Sequence, residues 1–239
     1  MQLKYFEIFS LLFYKQNVNI MKKPKLVIFD WDDTLAKTRN AVVKAMNYIL
    51  KLYNLPEWDI IKEQKRNKNK SLKENFPNFF GEAEAKNAYQ KYLDYYNKEA
   101  YKEVKKIDNT DKFLEDLVKS NIQIAIISNK EKSLLLREVE SCFPQIKFNH
   151  ILGNGDAEHN KPAPDPVYKI MENYNFELNS KNVWLVGDTK QDTDCALNAK
   201  CQPMLMGKGK FMDEEYLKTH KEVKLFNSFE EIDEVFRGL

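Results

Sequence analysis

The sequence predicts an α/β fold, a doubly wound parallel sheet with an inserted α-helical domain. Continuous apolar runs recur along the 239-residue chain, as expected for strands that are buried on both faces of a parallel sheet. Patterns with helical spacing lie between these runs, and strands that alternate with helices are typical of a doubly wound sheet. One long segment near the start shows only helical spacing, which indicates a separate helical domain.

The predicted strands are short and apolar. They occupy residues 26–29, 122–127, 183–186, 203–206 and 223–225. The first run ends in acidic residues, the second in Ser-Asn and the third in Gly-Asp. Functional groups of doubly wound sheets gather at the carboxyl ends of the strands, so we expect the functional site at these three ends.

The segments between the strands have the spacing of amphipathic helices. An apolar stripe before the second strand consists of Phe113, Leu114, Leu117 and Val118. Further helices are predicted at residues 133–142, 166–174 and 191–200. These helices alternate with the strands, as the predicted fold class requires.

A long segment after the first strand contains no buried strand pattern. Helical patterns occupy residues 41–53 and 82–101 of this segment. We therefore predict a helical domain at residues 36–108, inserted into an α/β core formed by residues 21–35 and 109–239.

The first twenty residues precede the predicted α/β core. Met21 directly precedes the first predicted strand, so residues 1–20 are predicted to be an N-terminal extension that is disordered or a start-site artefact. Their aromatic stretch is too short for a transmembrane helix, and no small-residue cleavage site follows it.

The composition is ordinary for a globular protein, with 43% hydrophobic and 31% charged residues. Because 38 basic side chains face 36 acidic ones, the formal net charge is only +2, which argues against a general nucleic-acid or membrane-surface binder. Three cysteines, Cys142, Cys195 and Cys201, lack the spacing of a metal site. They are interpreted as reduced thiols of a cytoplasmic protein.

Acidic residues follow the first predicted strand, in the segment Asp30-Trp31-Asp32-Asp33-Thr34. Asp30 and Asp32 lie two residues apart at a strand end and can therefore point into the same crevice. One carboxylate can then attack while the other transfers protons. The alternative is a turn or a helix cap, in which Asp and Thr are common.

A second acidic segment, residues 187–192, follows the third strand and contains Asp188 and Asp192. A helix N-terminus with acidic capping would also explain it. Together with Asp30 and Asp32, it places up to four carboxylates around one crevice. Two unit charges about 4 Å apart repel by roughly 4 kcal/mol at an effective dielectric constant of about 20, so such a cluster needs a cation. Ligands that are all oxygens suit Mg²⁺.

Two weaker signals suit phosphate binding. The segment Ser128-Asn129-Lys130 follows the second strand, where a hydroxyl and backbone N–H groups before a helix can bind phosphate oxygens, although a helix cap is the commoner explanation. Lys161 lies in a proline-rich loop that can hold its side chain in place, although a lone loop lysine is usually a solvated charge.

In this order along the chain, the four segments resemble the motifs of the haloacid dehalogenase (HAD) superfamily, and more narrowly its phosphoglycolate phosphatase-like branch. The matching residues are Asp30, Asp32 and Thr34 in Asp-x-Asp-x-Thr, the strand-end Ser128, Lys161 before proline, and Asp188 and Asp192 in Gly-Asp-x-x-x-Asp. The resemblance covers about residues 24–207. It implies a HAD-like Rossmannoid core, and the inserted helical domain resembles the helical cap of that family.

The resemblance implies a role for each of these residues. Asp30 would attack phosphorus and form an aspartyl-phosphate, while Asp32 would protonate the leaving oxygen and then deprotonate water. Mg²⁺ would be bound by Asp30, Asp188 and the backbone carbonyl of Asp32. Asp192 would orient this metal shell. The phosphoryl group would be bound by Asp33, Thr34, Ser128, Asn129 and Lys161.

The chain departs from the family pattern at Asp33 and Lys200, where glycine is usual. Asp33 adds negative charge beside the phosphate unless its side chain turns away, whereas Lys200 lies near a helix C-terminus, where a cation is acceptable. The basic run at residues 62–73 is interpreted as a solvated face. The alternative is that Arg66 or Lys73 faces the active site and binds a second anionic group of the substrate.

These features predict a Mg²⁺-dependent phosphatase for a small phosphorylated metabolite, with phosphoglycolate as the leading candidate. The alternatives are a phosphomutase, a 5′-nucleotidase, and a non-catalytic binding protein that retains the fold. No nucleic-acid or membrane partner is expected, and the oligomeric state, monomer or homodimer, is left open.

Overall fold

The structure is a computed structural model that describes residues 21–65, 71–207 and 214–239. Its centre is a six-stranded parallel sheet flanked by helices, which confirms the predicted α/β fold class. Residues 1–20, interpreted above as an extension, lie outside the described residues. Residues 66–70 of the basic run also lie outside them.

Two sheets are present among the described residues. The strands of the large sheet are β1 (Leu26–Phe29), β4 (Gln123–Glu131), β5 (His150–Asn154), β6 (Val183–Gly187), β7 (Gln202–Met206) and β8 (Lys224–Phe226). Their order is β5-β4-β1-β6-β7-β8. A short antiparallel pair joins β2 (Ala36–Lys37) to β3 (Lys105–Lys106).

The helices fall into two groups. Between β2 and β3 lie α1 (Arg39–Leu52), α2 (Trp58–Lys65), α3 (Leu72–Phe80), α4 (Glu82–Lys98) and a 3₁₀ turn (Ala100–Glu103). Around the large sheet lie α5 (Thr110–Lys119), α6 (Lys132–Cys142), α7 (Asp165–Met171), α8 (Lys190–Asn198), α9 (Glu214–Thr219) and α10 (Phe229–Arg237).

The central strand β1 explains why its sequence is apolar without interruption. It pairs in parallel with β4 on one side and β6 on the other. Val27 and Phe29 are buried in one hydrophobic cluster, whereas Leu26 and Ile28 are buried in the cluster on the opposite face. Because both faces of the strand are covered by helices, every side chain must be apolar.

Residues 39–103, here called the helical unit, have a hydrophobic cluster of their own. It includes Met46, Phe76, Tyr92 and Tyr96. Leu134 of α6 belongs to the same cluster, so the unit packs onto the core beside the end of β4. The chain leaves the core through β2 and returns through β3, and these two strands pair with each other.

Several details differ from the sequence prediction. Strand β5 and helix α10 were not predicted, and α7 and α8 end two or three residues earlier than expected. Val118 was assigned to the apolar stripe of α5, but it lies in the last turn of that helix and is 46% exposed. Among the described residues, no helix combines the length and the apolar character that crossing a membrane requires.

Candidate active site

The predicted site residues come from neighbouring strands of the large sheet. Asp30 directly follows β1, Asp188 directly follows β6, and Ser128 lies near the end of β4. Since β1 is flanked by β4 and β6, the carboxyl ends of these three strands lie side by side. All three side chains are buried.

Three carboxylates form a compact cluster at this edge of the sheet. Asp30, Asp188 and Asp192 each offer an oxygen, and the three oxygens lie within 4.8 Å of one another. The Thr34 hydroxyl lies 3.3 Å from Oδ2 of Asp30 and 3.4 Å from Oδ1 of Asp188. Buried oxygens this close are the ligands that a hard divalent cation prefers, so the cluster fits a metal such as Mg²⁺.

Lys161 supplies the positive charge inside this cluster. Its Nζ lies 2.5 Å from Oδ1 of Asp30 and 2.6 Å from Oδ1 of Asp192, and the lysine is only 6% exposed. The Asn129 side chain donates a 2.8 Å hydrogen bond to the backbone carbonyl of Lys161. The loop lysine is therefore a buried ion-pair partner and not a solvated charge.

Asp192 is held by the start of helix α8. Its Oδ2 accepts hydrogen bonds from the backbone N–H of Thr189 at 3.0 Å and from the hydroxyl of that residue at 2.6 Å. A Cβ at Gly187 would lie 2.3 Å from Cβ of Asp192, far inside any normal contact. The glycine before Asp188 is therefore required for the close approach of α8 to the end of β6.

Burial and mutual repulsion set the charge state of the carboxylates. Burial raises the pKa of Asp30 to about 7, helped by Asp192 and opposed by Lys161. Burial also raises the pKa of Asp188 to about 9, with a further contribution from Asp30. Burial alone would lower the pKa of Lys161, but the two aspartates beside it outweigh this effect and raise it. The single positive charge of Lys161 is therefore too little to balance three ionised carboxylates.

Asp32 does not join the carboxylate cluster. Of the up to four carboxylates expected around one crevice, three have oxygens within 4.8 Å of one another. Oδ1 of Asp32 lies 2.8 Å from Nζ of Lys130 and also accepts a hydrogen bond from the Thr38 hydroxyl. Burial acts to raise the pKa of Asp32, but Lys130 and Thr38 outweigh it and lower the pKa. The Asp32 carboxylate is thus bound by Lys130 and Thr38 and not by the residues of the cluster.

The remaining candidates take different positions. The Ser128 hydroxyl accepts a 3.2 Å hydrogen bond from the backbone N–H of Lys130. Asp33 has a positive φ of 58° and an exposed side chain, and its negative charge adds to the raised pKa of Asp188. Lys73 lies 3.6 Å from Glu131, whereas Arg66 lies outside the described residues.

Sequence reasoning missed a second group of buried polar side chains. Lys130 contacts Glu138 of α6 and Tyr96 of α4, and Glu138 accepts a 2.6 Å hydrogen bond from the Trp31 indole. One signal was available, because Glu138 interrupts the apolar buried face of α6. Acidic residues on such a face are rare unless they are paired.

The chain is similar to several known proteins. A family model described as haloacid dehalogenase-like hydrolase matches residues 27–206. A phosphoglycolate phosphatase of Photorhabdus laumondii is 32% identical over 88 residues, which span 37% of each chain. A phosphoglycolate phosphatase of Haemophilus influenzae is 25% identical over 187 residues, covering 74% of this chain and 83% of the relative.

Solved structures agree on the fold. A predicted phosphoglycolate phosphatase from Haemophilus somnus superimposes with a TM-score of 0.77 at 22% identity. The superposition covers 90% of this chain and 99% of that structure. At this identity the likeness concerns the architecture alone.

Proposed function

The chain belongs to the haloacid dehalogenase-like hydrolase family, and from this premise we propose that it hydrolyses a small phosphate monoester through an aspartyl-phosphate on Asp30. The observation that carries the proposal is the buried set of Asp30, Asp188, Asp192 and Lys161 at the strand ends. This set combines a nucleophile, oxygen ligands for a cation and a fixed positive charge, which are the parts that phosphoryl transfer requires.

Asp30 is the proposed nucleophile. Its carboxylate forms a bond to phosphorus as the bond between phosphorus and the ester oxygen breaks. Asp32 gives a proton to that departing oxygen and later takes a proton from the water that cleaves the aspartyl-phosphate. Two carboxylates with different partners suit these two roles, because Asp30 is paired with Lys161 and Asp32 with Lys130.

A divalent cation, proposed to be Mg²⁺, would be held by Asp30, Asp188 and the backbone carbonyl of Asp32, with Asp192 orienting the shell. A cation bound there would offset the charge of the phosphoryl oxygens and of the carboxylates. The geometry of the carboxylate cluster supports this assignment, since three buried oxygens lie within 4.8 Å of one another.

The remaining site residues are proposed to bind the phosphoryl group. They are Asp33, Thr34, Ser128, Asn129 and Lys161. Hydroxyl, amide and ammonium donors such as those of Thr34, Ser128, Asn129 and Lys161 can stabilise charge that builds up on the phosphoryl oxygens. The helical unit is proposed to be the cap, which covers the site and excludes water during the reaction.

Phosphoglycolate is the leading candidate substrate, since two relatives are named phosphoglycolate phosphatase. The basic residue Lys73 was a candidate for binding its carboxylate. In the structure its Nζ lies 3.6 Å from Oε2 of Glu131 and over the ring of Tyr89. We also propose a cytoplasmic location, which the three free cysteines support, and a monomer or homodimer.

The proposal is tested by phosphate release from a panel of phosphoglycolate, sugar phosphates and nucleoside monophosphates, with Mg²⁺ or with a chelator. We expect release that needs both the metal and Asp30, so that Asp30→Asn is inactive. Asp108→Asn changes an exposed carboxylate and serves as the matched control. Interconversion of sugar phosphate isomers without release would indicate a phosphomutase, and phosphate binding without any turnover would indicate a binding protein.

A further inference from the structure

We propose that Lys130 is a positioning residue, which orients the Asp32 carboxylate for proton transfer, and that Glu138 and Tyr96 hold Lys130 in place. This inference rests on the proposed phosphatase function. It adds a buried network that links Asp32, the proposed general acid and base, to the helical unit. Lys130 ends the segment Ser128-Asn129-Lys130, and the family resemblance assigns a role to Ser128 and Asn129 but none to Lys130.

Lys130 lies in a buried socket made of three different elements. Its Nζ lies 2.8 Å from Oδ1 of Asp32, 3.1 Å from Oε1 of Glu138 and 3.4 Å from the hydroxyl of Tyr96. The lysine side chain is only 7% exposed, and its ammonium also lies 5.3 Å from the centre of the Tyr96 ring. Two carboxylates and an aromatic ring therefore fix the position of this charge.

The contacts on Asp32 are one-sided. Lys130 and Thr38 both bind Oδ1, and no hydrogen bond from the described residues reaches Oδ2. A carboxylate turns easily about its last side-chain torsion, which has no sharp staggered preference. Since Oδ1 is held, Oδ2 is the oxygen that remains available to carry a proton to the ester oxygen. The Asp32 side chain is 40% exposed, so Oδ2 can meet a substrate.

Glu138 anchors the far side of the socket. Its side chain is fully buried, and its Oε2 accepts a 2.6 Å hydrogen bond from the indole N–H of Trp31. Trp31 is itself fully buried and lies between Asp30 and Asp32 in the sequence. The network therefore begins and ends at the proposed catalytic segment, and Glu138 cannot move without disturbing the packing of Trp31.

Tyr96 connects the socket to the helical unit. It lies on α4 and is fully buried. The next residue of β4 makes a second contact with the same helix, because Glu131 accepts a 3.1 Å hydrogen bond from Tyr89. Two successive residues at the end of β4 thus contact α4, so the orientation of Asp32 depends on how the helical unit sits on the core.

The test compares two esters that differ in their need for a proton. An alkyl phosphate releases a basic alkoxide that must be protonated, whereas p-nitrophenyl phosphate releases a stable phenolate. The ratio kcat/KM includes only the steps up to departure of the leaving group. We expect Lys130→Met to lower kcat/KM for the alkyl ester by about 100-fold, within the usual range for loss of general acid catalysis. For p-nitrophenyl phosphate we expect a loss at least about ten times smaller.

Two further variants separate orientation from folding. Lys130→Met alone leaves Glu138 as an unpaired buried charge, which is destabilising. Lys130→Met combined with Glu138→Gln removes both charges, and we expect it to recover the thermal unfolding midpoint while the selective loss on the alkyl ester persists. Tyr96→Phe removes one hydroxyl from the socket and should cause a smaller loss with the same selectivity.

Lys132→Met is the matched control, because Lys132 pairs with Asp156 at 2.6 Å and makes no contact with Asp32. It should leave the ratio between the two esters unchanged. Equal losses on both esters in the double variant, or a change in KM alone, would overturn the positioning role of Lys130. Wild-type protein that releases no Asp30-dependent phosphate from either ester would instead refute the proposed function, and this inference with it.

Discussion

Asp33 and Lys200 adopt left-handed backbone conformations, with φ values of 58° and 62°. Both stand where the family pattern has glycine, which reaches this region without steric cost. The backbone turns after β1 and after α8 are therefore kept although the glycines are absent. A side chain in this conformation costs roughly 1–2 kcal/mol, and aspartate tolerates it better than lysine does.

Replacing Lys200 by glycine should stabilise the protein by about 0.5–1 kcal/mol, because relief of strain outweighs the greater entropy of glycine in the unfolded chain. For a chain of this size the unfolding midpoint would rise by about 1–4 °C. Thermal unfolding followed by circular dichroism measures the shift. Lys200→Ala keeps a Cβ and is the control. Equal unfolding midpoints for Lys200→Gly and Lys200→Ala would show that the backbone at this position is not strained.

The clustering of the proposed catalytic carboxylates could be predicted from the sequence, whereas the socket around Lys130 could not. Asp30 and Asp188 follow strands that are evident from their apolar runs, and the strand ends alone bring them together. Lys130 takes its partners from α4 and α6, and no local pattern specifies that these elements meet. Contacts of this kind depend on the packing of distant segments.

At the scale of elements, prediction succeeded where a strand is covered on both faces. Strand β1 is fully buried, and its four apolar residues follow from that position. Strand β5 lies at the edge of the sheet and is largely half-buried, so its sequence, His-Ile-Leu-Gly-Asn, carries no continuous apolar run. A partly exposed edge strand leaves a weaker signal than a central one.

Gly187→Ala should disrupt the junction between β6 and α8. The new Cβ would lie 2.3 Å from Cβ of Asp192, so the helix start must shift away from the strand. We expect a loss of about 1–3 kcal/mol in the free energy of unfolding, as for other overpacked sites. Phosphatase activity should fall at least tenfold, because Asp192 then no longer holds Lys161.

Gly238→Ala is the control for this substitution. A Cβ at Gly238 would approach no atom more closely than 3.5 Å, so this variant should unfold and react as the wild type does. Denaturant unfolding and phosphate release measured on both variants give the comparison. Gly187→Ala with wild-type stability and activity would show that α8 tolerates the displacement.

At the scale of the whole molecule, the carboxylate cluster couples stability to pH. Asp30 and Asp188 have folded-state pKa values raised above the ordinary 3.8, to about 7 and about 9. The folded state therefore binds protons more tightly than the unfolded state does. Their contribution to stability is complete below about pH 4 and is lost as the pH rises through the raised values.

The metal-free protein should lose stability relative to Asp188→Asn as the pH rises from about 5 to 9, since the variant removes one charge from the cluster. Mg²⁺ should stabilise the wild type most at the high end of this range, by about 2.7 kcal/mol at 100 times its dissociation constant. Asp188→Asn should lose most of this effect. Unfolding midpoints with chelator and with Mg²⁺ measure both. If the unfolding midpoints of the wild type and of Asp188→Asn change with pH in parallel, the proposed link between the cluster and pH-dependent stability is refuted.

The position of β1 also bears on how the chain is made. Leu26 pairs with Gln123 and with Val183, which leave the ribosome roughly 100 and 160 residues later. At a synthesis rate of about 5–20 residues per second, roughly 10–30 s pass before both neighbours of this apolar strand have been made. The helical unit is synthesised during that interval and has its own cluster of buried residues. Nascent chains of this protein are therefore expected to need a chaperone at β1 until β6 has emerged.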